Sequence, residues 1–556
     1  MTAQRPRRRK RTRAAAQRVV VVVVAIAALI ALAYWPGLDG FWGRDDFMQL
    51  AYARLIGSPW PLFVHDHYFP VPGSIFRPLG FASFWLWQAL FGVDYRAHAI
   101  GDMFLHIAVA LALYRVIRLA DLARFLAALC ALLFALHPVV LGTALWWSAR
   151  FDLLATLFAL VAVRAAFDYI DRARIELLAL TLLAALAALL SKETAAAMLA
   201  AIGLVWLRWA ARDPANRATA LRAFAALCAV AIVFFAWRWI VLGTAATGFV
   251  GDVSPTALTK GILDWASHLV GYLSFWARLD IASRIAIAAS AAAFVAIAGA
   301  TIARGRSQSP RIADLRWCAL VLFLLPALLQ APIAALNAAP LGGEVSAVET
   351  AMQSRLYYFS IAGLVIAISV IVRHVLDAAA ARWQAAMLAT LVVAVSAFGF
   401  TARQGAAAYA NRSSEPTARV EALMRAVELL SLPAERCHVV VLGLSPPSEW
   451  SIYVSPDSII KALSPDESRV DRCFFHSDYA TFFHLMARGV GVADALPYRP
   501  HEFRGKPVPW LEVGDALVAY LDPPANATSR EGVIFLRYDG AEFREVADGD
   551  ATTELR

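Results

Sequence analysis

Charged residues are scarce in this chain. Only 17% of its 556 residues are Asp, Glu, Lys or Arg, against 60% hydrophobic. Soluble domains carry roughly a quarter charged and about half apolar residues. The deficit is uneven: it falls in long runs with few or no charges, each near the ~20 residues that carry a helix across a bilayer core. That distribution excludes a purely soluble protein. The chain also has no internal repeat, no P-loop and no G-x-G-x-x-G, which removes repeat arrays and the Gly-rich phosphate cradles. Strict metal-ligand spacing is missing too. Asp45, Asp46, His65 and Asp66 are hard ligands, but their spacing does not support a divalent cation. Cysteine is rare, at five. Cys130, Cys228 and Cys318 fall in apolar runs, where thiols behave as small apolar groups. Cys437 and Cys473 are the remaining pair, and an oxidising compartment would favour a bridge between them.

What the chain does have is hydrophobic length. Apolar runs predict about eleven spans, near residues 19–36, 95–119, 124–141, 151–169, 175–190, 194–210, 220–242, 281–303, 315–334, 356–376 and 384–402. The net charge of +9 suggests nucleic acid, but its placement argues against that partner. Eight basic residues crowd the first 18, directly before the run "RVVVVVVAIAALIALAYWPG". No small-x-small cleavage site follows, so residues 19–36 read as an uncleaved anchor behind a basic cytoplasmic N-terminus, 1–18. Counting spans from there, the cytoplasmic loops hold Arg115, Arg118 and Arg124; Arg164, Arg172 and Arg174; Arg208, Arg212, Arg217 and Arg222; Arg304, Arg306, Arg311 and Arg316; then Arg373 and Arg382. The opposite loops hold isolated cations only: Arg44, Arg77, Arg150, Lys192, Lys260 and Arg355. The positive-inside rule is met along the whole chain. Two aromatic stretches, 76–92 and 261–280, read as interfacial at the outer face, with an extra span as the alternative for 261–280, and their Phe and Trp residues as either a lipid groove or ordinary lipid-facing rings.

Beyond residue 402 the composition turns polar. Residues 403–416 read as a linker, and 417–556 as a small soluble α/β domain. "VEALMRAVELL" has helical periodicity, "CHVVVLGL" reads as a strand ending in a turn, and "GVIFLRYDGAEFREV" as a hairpin. The parity places this domain outside the cytoplasm.

The chemistry-bearing residues collect on the same side. Asp45 and Asp46 follow the first span, in the outer loop 37–94; alone they could simply start the helix "DFMQLAYARLI". Arg77 lies in "IFRPLG". His98, Asp102 and His106 lie at the outer end of the second span, and His137 ends the third in "FALHPVV". Arg150 and Asp152 follow in "LWWSARFDLLATLF", Lys192 and Glu193 in "LLSKETAAAML", and Arg355, Tyr357 and Tyr358 in "MQSRLYYFS". Each has a bland reading: Lys192 snorkelling, Arg150 pairing with Asp152, His137 capping before its proline. Ionisable groups at membrane depth are costly and point to function by default. Their gathering at one boundary strengthens that reading, since structural ion pairs should occur at both.

The series of Asp-Asp after the first span, "FRPL", a His-rich second span, "ALHPVV…SARFDLLATLF", "LLSKE" and "SRLYYFS" resembles the GT-C glycosyltransferases. The nearest branch is the protein O-mannosyltransferase group, in particular transmembrane mannosyltransferases with tetratricopeptide repeats and their bacterial relatives. The match runs over residues 40–360. The chain departs from that pattern in lacking the repeat array, in having Gly142 where a Glu is common, and in having Asp102 where an Asn is usual. The resemblance implies a polytopic GT-C helical bundle over residues 19–402. It implies a polyprenyl-phosphate-linked sugar as donor and an acceptor hydroxyl on a protein, lipid or glycan. Asp45 is then the general base, assisted by Asp46, and Arg77, Lys192, Arg355 and, second in rank, Arg150 are the donor-phosphate cations. His98, Asp102, His106, His137, Asp152, Glu193, Tyr357 and Tyr358 would support them, with Glu193 pairing Lys192 when no donor is bound.

The chemistry is coherent without the family. A glycosyl phosphate already carries a good leaving group, so one displacement needs a base on the incoming hydroxyl and cations on the departing phosphate. A transporter or flippase is the alternative, and it should show inverted repeats and charges near the bilayer midplane. A third is an inert scaffold presenting the C-terminal domain. The Ala- and Arg-rich composition suits a bacterial inner membrane with the C-terminal domain periplasmic.

Overall fold

The computed structural model describes residues 4–43, 45–64, 75–243, 309–337, 354–378, 380–412 and 414–432. Towards the C-terminus it describes 437–442, 456–465, 470, 473–477, 502–503, 506–507 and 533–546, and it also describes the single residue 259. The expected span 281–303, the aromatic stretch 261–280 and residues His65 and Asp66 lie outside these. The chain forms two compact units, one of residues 1–38 and 99–409, the other of 39–98 and 410–556.

In the first unit the apolar runs form helices in the order the hydropathy predicts. They are α1 (Gln4–Tyr34), α4 (Tyr95–Ile117, mostly within this unit), α5 (Arg124–Ala135), α6 (Leu141–Leu145), α7 (Arg150–Arg172), α8 (Ile175–Ser191), α9 (Ala196–Arg212), α10 (Arg217–Leu242), α11 (Pro310–Asn337), α12 (Tyr358–Ala378) and α13 (Ala381–Arg412). Among the described residues seven helices are long and apolar enough to cross a membrane, eight if one bent pair is a single span. α8, at 17 residues, is a shorter apolar helix. Burial sorts them. In α4, α7, α9 and α12, 61–67% of the apolar window is buried, against 17–28% in α1, α10 and α13. The first four are the core; the other three expose Val, Ile, Leu and Trp, such as Val21, Ile232 and Ile240, a surface suited to lipid.

The bent pair is 124–135 with 138–145, turned by 53°. Pro138 lacks the N–H that would continue the helix. His137 Nδ1 accepts the Val139 N–H at 3.3 Å, capping the new turn. The expected straight span 124–141 is therefore broken where its proline falls.

α11 and α12 approach closely at Gly363. A Cβ there would lie 2.5 Å from the carbonyl carbon of Leu322 and from the amide nitrogen of Phe323, both backbone atoms. Backbone cannot rotate away, so Gly363→Ala should push the helices apart at a cost of about 1–3 kcal/mol. A lowered thermal-unfolding midpoint in detergent is the expected result, and an unchanged one would show that the contact is soft.

The second unit joins the loop after α1 to the C-terminal part. Helices α2 (Asp45–Leu55) and α3 (Pro78–Phe91) pack on each other, with Tyr52 edge-on to Phe81. Proline opens α3 at N1, where its missing N–H costs nothing. The C-terminal part adds α14 (Ser414–Leu429), α15 (Pro456–Leu463) and six strands: β1 (Cys437–Leu442), β2 (Cys473–Ser477), β3 (Glu502–Phe503), β4 (Lys506–Pro507), β5 (Val533–Tyr538) and β6 (Phe543–Val546). One sheet has the order β2-β1-β5-β6. β1 is parallel to both β2 and β5, and α15 forms the crossover that a parallel β1–β2 pair requires. β5 and β6 form the predicted hairpin. At its turn the Asp539 carboxylate accepts the Glu542 and Ala541 N–H groups at 2.9 and 3.0 Å, which hold it below the usual carboxylate range. Gly540 takes φ +101°, where a side chain would be strained.

The register sets Cys437 opposite Cys473, and Cys473 is disulfide-bonded, while Cys130, Cys228 and Cys318 are free. The predicted linker is corrected: residues 403–412 continue α13, and α14 begins at Ser414. The stretch "RQGAAAYANR" is polar but rich in Ala, the strongest helix former, and polarity reports exposure rather than backbone conformation.

Candidate functional site

α4 carries Asp102 and His106 four residues apart, hence on one face. The chain after Pro138 is short and tightly wound: a 3-10 turn, α6, a second 3-10 turn at Trp147–Ala149, then α7, whose first turn holds Arg150 and Asp152. α8 ends at Ser191; Lys192 is extended, and a 3-10 turn from Glu193 leads into α9. Arg355 lies in the 3-10 turn Ser354–Tyr357 that opens α12. Within the first unit these helix ends meet.

The meeting is ionic. Arg150 Nε donates to Asp102 Oδ1 at 2.6 Å, and Lys192 Nζ to Asp152 Oδ1 at 2.6 Å. Side-chain exposure is 1% and 2% in the first pair, 6% and 4% in the second. The expected Arg150–Asp152 neighbourly pair is thereby corrected: each α7 residue reaches a different helix. Residues two apart in a helical first turn point about 200° apart, so they cannot share a partner easily. Arg150 and Lys192, expected at a donor phosphate, are each already held by a buried carboxylate.

Arg355 is placed differently. Half-buried, it stacks with its guanidinium carbon 4.3 Å from the centroid of the Trp146 ring. A guanidinium presents its N–H donors as a planar fork that suits phosphate. The indole Nε1 of the same Trp146 is buried with no hydrogen-bond partner among the described residues, and so are Thr143 Oγ1 and Thr156 Oγ1. Buried polar atoms normally find partners. Trp146, Thr143 and Thr156 were not singled out from sequence. The signal was the Trp doublet in "LWWSARFD", which in a membrane chain reads equally well as an interfacial belt.

The histidines are structural. His106 Nε2 bonds the Ala135 carbonyl at 2.9 Å, and Nδ1 lies 2.8 Å from the Tyr358 hydroxyl. A carbonyl only accepts, so Nε2 carries the proton and Nδ1 accepts from Tyr358. Tyr34 donates to the same carbonyl at 2.9 Å. This node ties α1, α4, α5 and α12 together around the orphan carbonyl at the end of α5. Tyr357 is buried beside it. His137 caps, as described, with its ring edge-on to Phe398. Glu193 is half-buried.

In the second unit, Asp46 is fully buried at the start of α2, and its Oδ2 accepts the Gly43 N–H at 3.0 Å. Asp45 is the first residue of the same helix; its side chain lies outside the described residues. Gln49, one turn on, is also buried. Arg77 is the half-buried N-cap residue of α3. His98 is buried against Trp42 and bonds the Gly92 carbonyl at 2.8 Å, closing the end of α3. Among the described residues no three His, Cys, Asp or Glu gather as a metal ion would require.

Ion pairs occur at the opposite helix ends too: Asp314 on α11 bridges Arg208 and Arg212 of α9, Arg311 meets Asp171, and Arg164 meets Asp168. What separates the two ends is burial of the cation. Those arginines keep 28–34% of their side chains exposed, whereas Arg150 and Lys192 are almost wholly enclosed.

The fold is thus a helical bundle of membrane-spanning character with buried ion pairs at one set of helix ends and a partly parallel α/β appendage. No protein-family model and no curated protein matches the chain. Solved structures are similar to it at low identity. ArnT from Cupriavidus metallidurans in the apo state is 14% identical over 85% of this chain and 91% of that one, with a TM-score of 0.41. ArnT from the same organism bound to undecaprenyl phosphate is 13% identical over 88% and 97%, at 0.39. The archaeal oligosaccharyltransferase AglB from Archaeoglobus fulgidus, in complex with an inhibitory peptide and a dolichol-phosphate, is 13% identical over 82% of this chain, at 0.43. The chain spans 64% of that protein, less than two thirds of its length.

Proposed function

We propose that this protein is an inverting membrane glycosyltransferase of GT-C type. It moves a mannose-like hexose from a polyprenyl-phosphate donor to an acceptor hydroxyl at the periplasmic face of a bacterial inner membrane. The N-terminus is cytoplasmic and the C-terminal part periplasmic. In the reaction the acceptor oxygen attacks the anomeric carbon, its proton passes to Asp45, and the carbon–oxygen bond to phosphate breaks, releasing polyprenyl phosphate with inversion. Asp46, fixed by the Gly43 N–H, holds the turn on which Asp45 sits. Arg355 is the foremost donor-phosphate cation. Lys192 and Arg150, held by Asp152 and Asp102, shape the field around it, and Arg77 is a further candidate cation.

What supports this reading is the Arg355 guanidinium stacked on Trp146, whose buried Nε1 has no hydrogen-bond partner among the described residues. A cation held in place in this way suits a phosphate leaving group as its charge develops. Purified protein in proteoliposomes, given a panel of polyprenyl-phosphate sugars, should cleave one donor and transfer its sugar. Arg355→Ala should raise the donor KM about 10- to 100-fold, matching the ~1.5–3 kcal/mol of a hydrogen bond to a charged group. Arg355→Lys should recover only part, since it loses both fork and stack. Flux of intact donor without cleavage would move the reading to a transporter.

A further inference from the structure

α2, the helix that begins at Asp45, is gripped from a sequence-distant part of its own unit. Arg54, in its last turn, directs Nη1 at three backbone carbonyls, those of Lys461 at 3.0 Å, Ala462 at 3.2 Å and Ser464 at 2.8 Å. These belong to the C-terminal end of α15, where the last carbonyls of a helix lack intrahelical partners and carry its negative dipole end. An arginine here both satisfies the orphan acceptors and neutralises that end. Apolar packing backs the contact: Leu50, Ala51 and Ala53 of α2 are buried, as are Ile459, Ile460 and Ala462 of α15. α15 is in turn the crossover of the β1–β2 unit and packs on β2. The chain from Arg54 through α15 to the sheet is therefore continuous.

The geometry points to Arg54 as a positioning residue that makes the C-terminal α/β part the mount for the acid-bearing helix. This rests on the assignment of Asp45 as base. Positions 45 and 54 are nine residues apart, about 13 Å along the axis and on opposite faces of the helix. Arg54 thus acts through α2 and not on substrate. The C-terminal part, on this view, earns its place in the chain by fixing where a carboxylate stands, which matters because a misplacement of ~1 Å can cost about 100-fold in rate.

The test uses the full-length protein in proteoliposomes. Arg54→Ala should lower kcat by about 10- to 100-fold with donor KM unchanged, and should speed amide hydrogen exchange in 45–55 and 456–463 while leaving α7 and α12 protected. Arg54→Lys, which keeps the positive charge and offers three donors on its ammonium, should restore much of both. Guanidinium ion added to Arg54→Ala should raise kcat without altering KM, an effect that loss of folded protein would not produce. Unchanged kcat in Arg54→Ala, or unchanged exchange in 45–55, overturns the proposal. If the wild-type protein cleaves no donor in the panel while exchange in 45–55 still rises in Arg54→Ala, the transferase reading falls and the mechanical tie between α2 and α15 stands.

Discussion

Asp45→Asn is expected to lower sugar transfer by about 100- to 10,000-fold, the range a positioned general base contributes. The substitution keeps size and hydrogen-bonding shape and removes only the ability to take the acceptor's proton. Donor affinity should therefore be unchanged, and the loss should fall in kcat. Asp46→Asn should be milder, because an amide oxygen can still accept the Gly43 N–H that the buried Asp46 carboxylate holds at 3.0 Å. The two variants separate the roles of adjacent acids that look identical in sequence. Rates measured with saturating donor and a fixed acceptor decide the matter, and equal turnover in Asp45→Asn and wild type would remove Asp45 from the chemistry.

The second large effect is on stability. Asp152→Ala leaves the Lys192 ammonium buried with its carboxylate partner gone, and removing one member of a buried pair costs about 3–5 kcal/mol. The double variant Asp152→Leu with Lys192→Met should recover most of that loss, since well-packed apolar groups of similar volume often equal or exceed a buried pair. Unfolding in mild detergent, followed by intrinsic fluorescence, should show the single variant far below wild type and the double variant close to it. A single variant within about 1 kcal/mol of wild type would mean the pair is hydrated and behaves as a surface one. Activity adds a second reading: a double variant that is stable yet inactive would give Lys192 a role at the donor beyond packing.

Much of this was legible from local pattern. The runs that become α1, α4, α7, α9, α10, α12 and α13 were found by hydropathy alone. Turn chemistry marks the "YDG" hairpin, whose Asp539 and Gly540 supply the turn's acceptor and its positive φ. The bend at Pro138 breaks what hydropathy reads as one span, 124–141, because hydropathy does not register the missing proline N–H. Two things hide the rest. In "RQGAAAYANR" polarity reports exposure and not irregular backbone, so a helix looks like a linker; at Arg54, Gln49, Thr143 and Trp146 nothing nearby in the sequence marks the residue.

Composition and order along the chain were enough to specify a membrane-spanning helical bundle, its helix ends and the set of residue types able to do phosphate and proton chemistry. These follow from the cost of exposing backbone and charge to lipid, which acts on each segment separately. Which groups meet was decided by packing: Asp102 with Arg150 across 48 residues, Lys192 with Asp152 across 40, Arg54 with the end of α15 across more than 400. Partner choice depends on how helices cross and on which face each turn presents. No local signal carries that information, because a buried charge is satisfied by any opposite group the fold delivers to it.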